Sequence, residues 1–173
     1  MIIDCLSKAI LLFVIYNIVA LMLFGVPKSL SMTYYLFKER EDCLKALFPV
    51  TVTLICLLLI PCWLEISNGS PWQFTAFLSA GSLLFVGFVP AFKSSKMEGY
   101  LHDIAAYVGT TFGLLWIIMV TQFWYVILIV LSIVSIIAIW TKTWKTSCIY
   151  WIEVVAFIST FISITCYYIM QIV

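Results

Sequence analysis

Six apolar stretches, each close to 20 residues long and nearly free of charge, constrain this chain more than any motif in it. They cover residues 9–26, 46–64, 72–92, 101–120, 124–140 and 147–170. About 20 apolar residues wound as a helix cross roughly 30 Å of hydrocarbon, so each stretch has the length of a membrane span. Within lipid the backbone must satisfy its own hydrogen bonds, which makes helices, not isolated strands, the expected form. The fourth and fifth stretches are parted only by "TQF", residues 121–123. Joined, they would form a rod of roughly 60 Å at about 1.5 Å per residue, twice the membrane thickness, so a tight hairpin is expected. The expected fold is all-α: a polytopic integral membrane protein, one transmembrane domain over residues 1–173, built as a bundle of six transmembrane helices.

Composition agrees. Of 173 residues, 65% are hydrophobic and only 10% charged, against about 25% charged in a soluble domain whose surface must be wet. Nine basic and eight acidic residues leave a net charge of +1, too little field to attract nucleic acid, which is not an expected partner. The N-terminus has the look of a signal peptide, with Lys8 before an apolar run, but no small-x-small cleavage site follows and the first helix is expected to stay. Cys5, Cys43, Cys56, Cys62, Cys148 and Cys166 form no C-x-x-C pair, and a single histidine leaves no zinc pattern. Cysteine in apolar runs acts as a small hydrophobe, so neither metal nor other cofactor is expected.

Basic residues set the expected orientation. The loops after the first, third and fifth stretches hold Lys28, Lys38, Arg40, Lys45, Lys93, Lys96, Lys142 and Lys145; the opposite face holds Lys8 alone. Eight against one is a strong positive-inside signal. It puts loops 27–45, 93–100 and 141–146 in the cytoplasm and both termini on the other side. Trp63, Trp72 and Trp124 then fall near the outer interface, and Trp140, Trp144 and Trp151 near the inner one. In the longest loop, Ser31 is placed to cap a short amphipathic helix along the interface.

Few polar residues enter the apolar stretches. "SKME", residues 95–98, has the capping-box form and starts the fourth helix early. His102, the one histidine, then shares a helical face with Ala105, Ala106, Gly109 and Gly113. Gly109 and Gly113 form a small-residue stripe of the kind that lets helices approach closely in lipid. Asp103 lies about 100° around the helix with Tyr107 and Thr110, so it does not face His102; a favourable charge near a helix N-terminus explains it equally well. Glu153 stands about two turns inside the last stretch, with Ala156, Thr160 and Ser163 along its face. A carboxylate at such depth costs on the order of 2–3 kcal/mol unless paired, protonated or hydrated. Pairing with Lys142 or Lys145 is the competing account. Asn17 in the first helix suits an interhelical hydrogen bond. On the expected topology His102, Asp103, Glu153 and the segment "PKSLSMTYY" all lie toward the cytoplasm, where Ser29, Ser31, Thr33 and Tyr34 could rim a polar cavity.

Two segments carry a resemblance. "VPKSLSMTYY" and "LHDIAAYVG" resemble the Pro-x-x-Ser loop and His-x-x-Ala/Gly-Ala motif of the DRAM-like superfamily of six-helix membrane proteins. The resemblance spans about 20 residues and carries over Pro27, Ser31, His102 and Ala106 as motif positions. It implies a monomeric bundle concerned with lipids or membrane traffic. That family is drawn with cytosolic termini, opposite to the basic count here.

Three functions compete. The first is non-enzymatic: a cytoplasm-facing pocket or pathway for an ion, small solute or lipid, lined by His102, Asp103, Glu153, Thr160 and Tyr34. Membrane lipids are the expected partners, and a complete transporter would call for a homo-oligomer or a membrane-protein partner. The second is a membrane-embedded lipid hydrolase or acyl-transfer enzyme, with Ser29 or Ser31 as nucleophile, His102 as base and Asp103 or Glu153 as orienting acid. The third is an assembly or signalling component acting through loop 27–45. The first is preferred. For the topology, a Ser94→Cys variant in a cysteine-free background should resist an impermeant maleimide added outside intact cells; labelling there would invert the orientation.

Overall fold

The computed structural model describes residues 2–172, and among them it is helical throughout, with no β-strand. The first helix, α1 (Ile2–Phe24), begins seven residues ahead of the apolar stretch. An Asp4–Lys8 ion pair of 2.8 Å carries its exposed first turns beyond the apolar portion. It ends at Gly25, whose φ of +68° permits the left-handed cap while its N–H bonds the Leu21 carbonyl at 2.9 Å. After a buried turn come α2 (Thr33–Arg40), a 3-10 turn (Asp42–Ala46) and α3 (Leu47–Ile66). The next two helices are α4 (Gln73–Phe88) and α5 (Lys96–Trp116). α4 stops short of the expected residue 92 because Val89 precedes Pro90, and the residue before a proline is driven out of helical geometry. Ser95 caps α5, its hydroxyl accepting the Glu98 N–H at 3.1 Å.

The α5 rod runs into a π-helical turn (Ile117–Thr121) and breaks at Gln122, φ +61°. α6 (Trp124–Trp140) and α7 (Cys148–Ile172) follow. The break expected at "TQF" is therefore made by a left-handed glutamine in place of a glycine, and α6 beyond it packs on α7 and not back along α5 as a tight hairpin would.

Four helical segments are long and apolar enough to cross a membrane: Ile2–Phe24, Asp42–Ile66, Lys96–Thr121 and Cys148–Gln171. The two others, α4 and α6, are apolar but have 16 and 17 residues, about 24 and 26 Å. Large apolar side chains such as Met22, Phe88 and Ile136 stand two-thirds or more exposed around the bundle, as suits a surface solvated by acyl chains. α3 packs between α1 and α4, α4 against α5, and α7 against α6 and α5.

The loop between α1 and α3 is not a solvated surface helix. Phe37 of α2 is fully buried and lies edge-on to Phe24, ring centres 5.0 Å apart. Ser31 does not cap α2: the N-cap position is Met32, without a side-chain bond, and it is the Ser29 hydroxyl that accepts the Met32 N–H, at 3.1 Å. The difference is one of turn register. Residues 29–32 form their own hydrogen-bonded turn before the helix begins.

Connections gather at two ends. At one, the Lys93 N–H donates to the Tyr35 hydroxyl at 2.5 Å, and the Tyr150 N–H to the Lys28 carbonyl at 3.1 Å. All three basic loops meet there. At the other end, the Trp116 indole N–H donates to Ser67 Oγ at 2.7 Å.

Gly87 holds α4 to α3, since a Cβ there would sit 2.6 Å from Thr53 Oγ1 and 3.5 Å from the Pro49 carbonyl. Gly87→Ala should destabilise the protein by about 1–3 kcal/mol, the usual cost of overpacking, and Thr53→Ala should recover part of it. Thermal unfolding in detergent of the two single variants and the double variant measures both effects.

Candidate functional site

Glu153 is the acidic group placed inside the bundle. It lies in the second turn of α7, half-buried, and its Oε2 accepts the backbone N–H of Leu30 at 2.6 Å. Among the described residues the ion pairs are Asp4–Lys8 and Asp42–Lys45, so Lys142 and Lys145 do not neutralise Glu153. A charge-assisted bond to a backbone donor is short and strong, yet it leaves the carboxylate's net charge in place.

Two small cavities adjoin this carboxylate. One, of about 20 Å³, runs inward past Thr110, Gly113, Ala156 and Thr160 to Leu59 and Trp63. The other, of about 30 Å³, opens toward Leu30, Ser31, Val86 and Ala106. Leu83, Thr110, Glu153 and Phe157 line both. Each is large enough for a water molecule or a bare cation and too small for an organic solute. The Trp63 indole N–H is buried without a partner among the described residues. Thr160 returns its hydroxyl to the Ala156 carbonyl at 2.9 Å. Ser163, expected on the same face, has a buried hydroxyl with no partner among the described residues and does not line either cavity.

The structure separates His102 from Glu153. His102 is 1% exposed, stacked on Phe92 at 4.4 Å between ring centres. Its Nδ1 lies 3.1 Å from the Val89 carbonyl. A carbonyl accepts only, so Nδ1 carries the proton and Nε2 is left with a lone pair, buried and unpartnered among the described residues. The ring packs the α4–α5 connection and lines neither cavity. Asp103 is exposed on the far side of α5. Ser31 is buried and its hydroxyl faces Ser29 Oγ at 3.0 Å, while Tyr34 packs edge-on against Tyr35 at 5.0 Å. Ser31, His102 and an acid are thus not assembled as a nucleophile, base and orienter. Of the positions carried over from the family resemblance, Ser31 and Ala106 share a cavity wall with Glu153 and His102 does not.

The small-residue stripe is occupied within the chain. A Cβ on Gly109 would meet Leu83 at 3.2 Å, and one on Gly113 would meet Ser79 Oγ at 3.1 Å. Ser79 donates to the Gly109 carbonyl at 2.9 Å, so α4 fills the groove that the glycines leave. Asn17 joins α1 to α7: its amide donates to the Phe13 carbonyl at 2.8 Å and accepts from the Tyr150 hydroxyl at 3.0 Å.

Leu30, Gly87 and Tyr150 are the contributors that sequence reasoning passed over, and Trp63, read from sequence only as an interfacial tryptophan, is buried and lines the inner cavity. Leu30 acts through its backbone, which carries no residue-specific signal, although an apolar residue flanked by Ser29 and Ser31 hinted at a turn with one side buried. No family model, curated protein or solved structure matches the chain.

The Asn17–Tyr150 bond is measurable. A double-mutant cycle of Asn17→Leu and Tyr150→Phe should give a coupling of about 0.6 kcal/mol and no more than about 1.7, the range for hydrogen bonds between membrane helices. Unfolding equilibria in mixed micelles supply the four free energies.

Proposed function

We propose that the chain is a six-span integral membrane protein, with its three basic loops in the cytoplasm, that binds a proton or a small monovalent cation at Glu153. The one observation that carries this reading is the carboxylate lining both inner cavities with no basic side chain opposite it. Retaining a bare charge there costs on the order of 2–3 kcal/mol, and taking up a proton or cation removes most of that cost. Thr110 adds a hydroxyl to the wall of both cavities, and the cavity volumes select against anything larger than a bare cation or a single water molecule.

The six-span form is supported by the alternation of ends. Each apolar helix, including the short α4 and α6, leads from one cluster of connections to the other, and a modest local thinning of the bilayer accommodates a helix of about 24 Å. Sidedness follows from the eight basic residues at one end. A DRAM-like relationship would agree with the bundle, and the wall shared by Ser31 and Ala106 is the part of the resemblance that the proposed site would use. His102 has no part in binding on this reading; it holds the α4–α5 connection.

Infrared spectra of the protein in lipid test the site. A carboxyl band that responds to pH or to added Na⁺ or K⁺ is expected, lost in Glu153→Gln and kept in His102→Ala. Glutamine still offers an oxygen to the Leu30 N–H, so the fold should survive the substitution. Wild-type and Glu153→Gln spectra that respond identically to protons and to both cations would end the reading.

A further inference from the structure

A groove of about 480 Å³ runs between α1 and α6 with α7 as its floor. Its walls are bulky and apolar, with Ile10 and Ile18 on α1, Ile137 on α6, and Val154, Ile158 and Ile162 on α7. The polar groups it touches are already satisfied inside the protein. Asn17 and Tyr150 bond each other, and Thr165 returns its hydroxyl to the Phe161 carbonyl at 2.8 Å. An occupant therefore needs to offer no hydrogen bonds. A second transmembrane helix is a poor fit, because close helix contact in lipid needs small residues and these walls present Ile, Val and Phe. The groove wall on α1 extends from Ile10 to Leu21, about 16 Å of helix, close to the roughly 15 Å depth of one leaflet.

Basic residues flank one end of the groove. Trp151 lines that end and donates its indole N–H to Thr143 Oγ1 at 3.0 Å, which ties the 141–146 turn to the groove wall. Lys142 and Lys145 of that turn are exposed, and neither is among the ion pairs of the described residues. Lys28 is also exposed, and its carbonyl holds the N–H of Tyr150, another groove residue.

We propose that this groove is a binding site for an anionic phospholipid, one acyl chain lying between α1 and α6 and the headgroup phosphate held by Lys142 and Lys145. The site is separate from Glu153 and does not depend on what that carboxylate binds. Recognition divides in two: the walls take the chain, and the lysines select the charge.

Native mass spectrometry from micelles doped with dioleoyl-phosphatidylglycerol or dioleoyl-phosphatidylcholine separates these parts. The expected result is retention of the phosphatidylglycerol in clear preference to the phosphatidylcholine of identical chains. In Lys142→Gln/Lys145→Gln the preference should fall by about fivefold per lysine removed, and Ile18→Trp, which fills the groove from an exposed position, should lower retention of both lipids. Equal retention of the two lipids by the wild type overturns the headgroup assignment. Retention unchanged in Ile18→Trp overturns the groove, as does an Ile18→Cys variant that, with the six native cysteines replaced, forms disulfide-linked dimers in lipid vesicles, which would give the surface to a second copy of the chain. The two lysines are exposed, so their substitution leaves the fold intact and the charge test remains decisive.

Discussion

The bond from the Leu30 N–H to the Glu153 carboxylate joins parts of the chain 123 residues apart and closes one end of the bundle. Apolar helices in lipid have little to orient them, since acyl chains solvate a leucine as well as another leucine does. Directional contacts therefore decide how the end is assembled. Around this bond stand the Tyr150 N–H on the Lys28 carbonyl, the Ser147 hydroxyl on the Val26 carbonyl at 3.3 Å, and the Tyr16 hydroxyl paired with Thr33. Together they press residues 25–37 into the bundle, bury Phe37 beneath α1, and set Ser31 over the carboxylate's outer cavity. The same bond fixes the Glu153 carboxyl at the wall shared by the two small cavities.

A second constraint operates along α4. This helix is short, and glycines let it close tightly on both of its neighbours. Gly87 meets Thr53 on one side; Gly109 and Gly113 meet Leu83 and Ser79 on the other. Small residues let backbones approach until dispersion and a side-chain bond to a carbonyl replace the missing hydrophobic drive. The inner cavities border this tightly packed helix, so their small volumes follow from the same close approach.

How much of this was legible in the sequence depends on the kind of force. The apolar runs were readable because a bilayer demands length and composition, and each run is found in a helix, with ends displaced by up to seven residues. Ser95 was readable as a cap because capping is local. The turn at Gln122 was expected for reasons of length, but its left-handed residue carries no glycine to announce it. His102 and Glu153 stood out equally as costly polar residues, and only one of them faces the interior cavities. Helical phase put His102 on the inward side of α5, which the structure shares; it could not say that Phe92 and the Val89 carbonyl would be waiting there.

What the sequence alone determined is the solvent and the scaffold: apolar helices, their approximate ends, and the collection of basic residues on one set of loops. These follow from chain-local quantities, hydropathy, helical rise and capping, that need no knowledge of neighbours. The tertiary structure decided which polar groups meet. Glu153 finds a backbone N–H in place of a lysine, Ser31 finds Ser29 in place of an imidazole, and the glycine stripe finds α4 in place of another chain. Such partnerships rest on distances of about 3 Å between residues far apart in sequence, and no one-dimensional pattern encodes them.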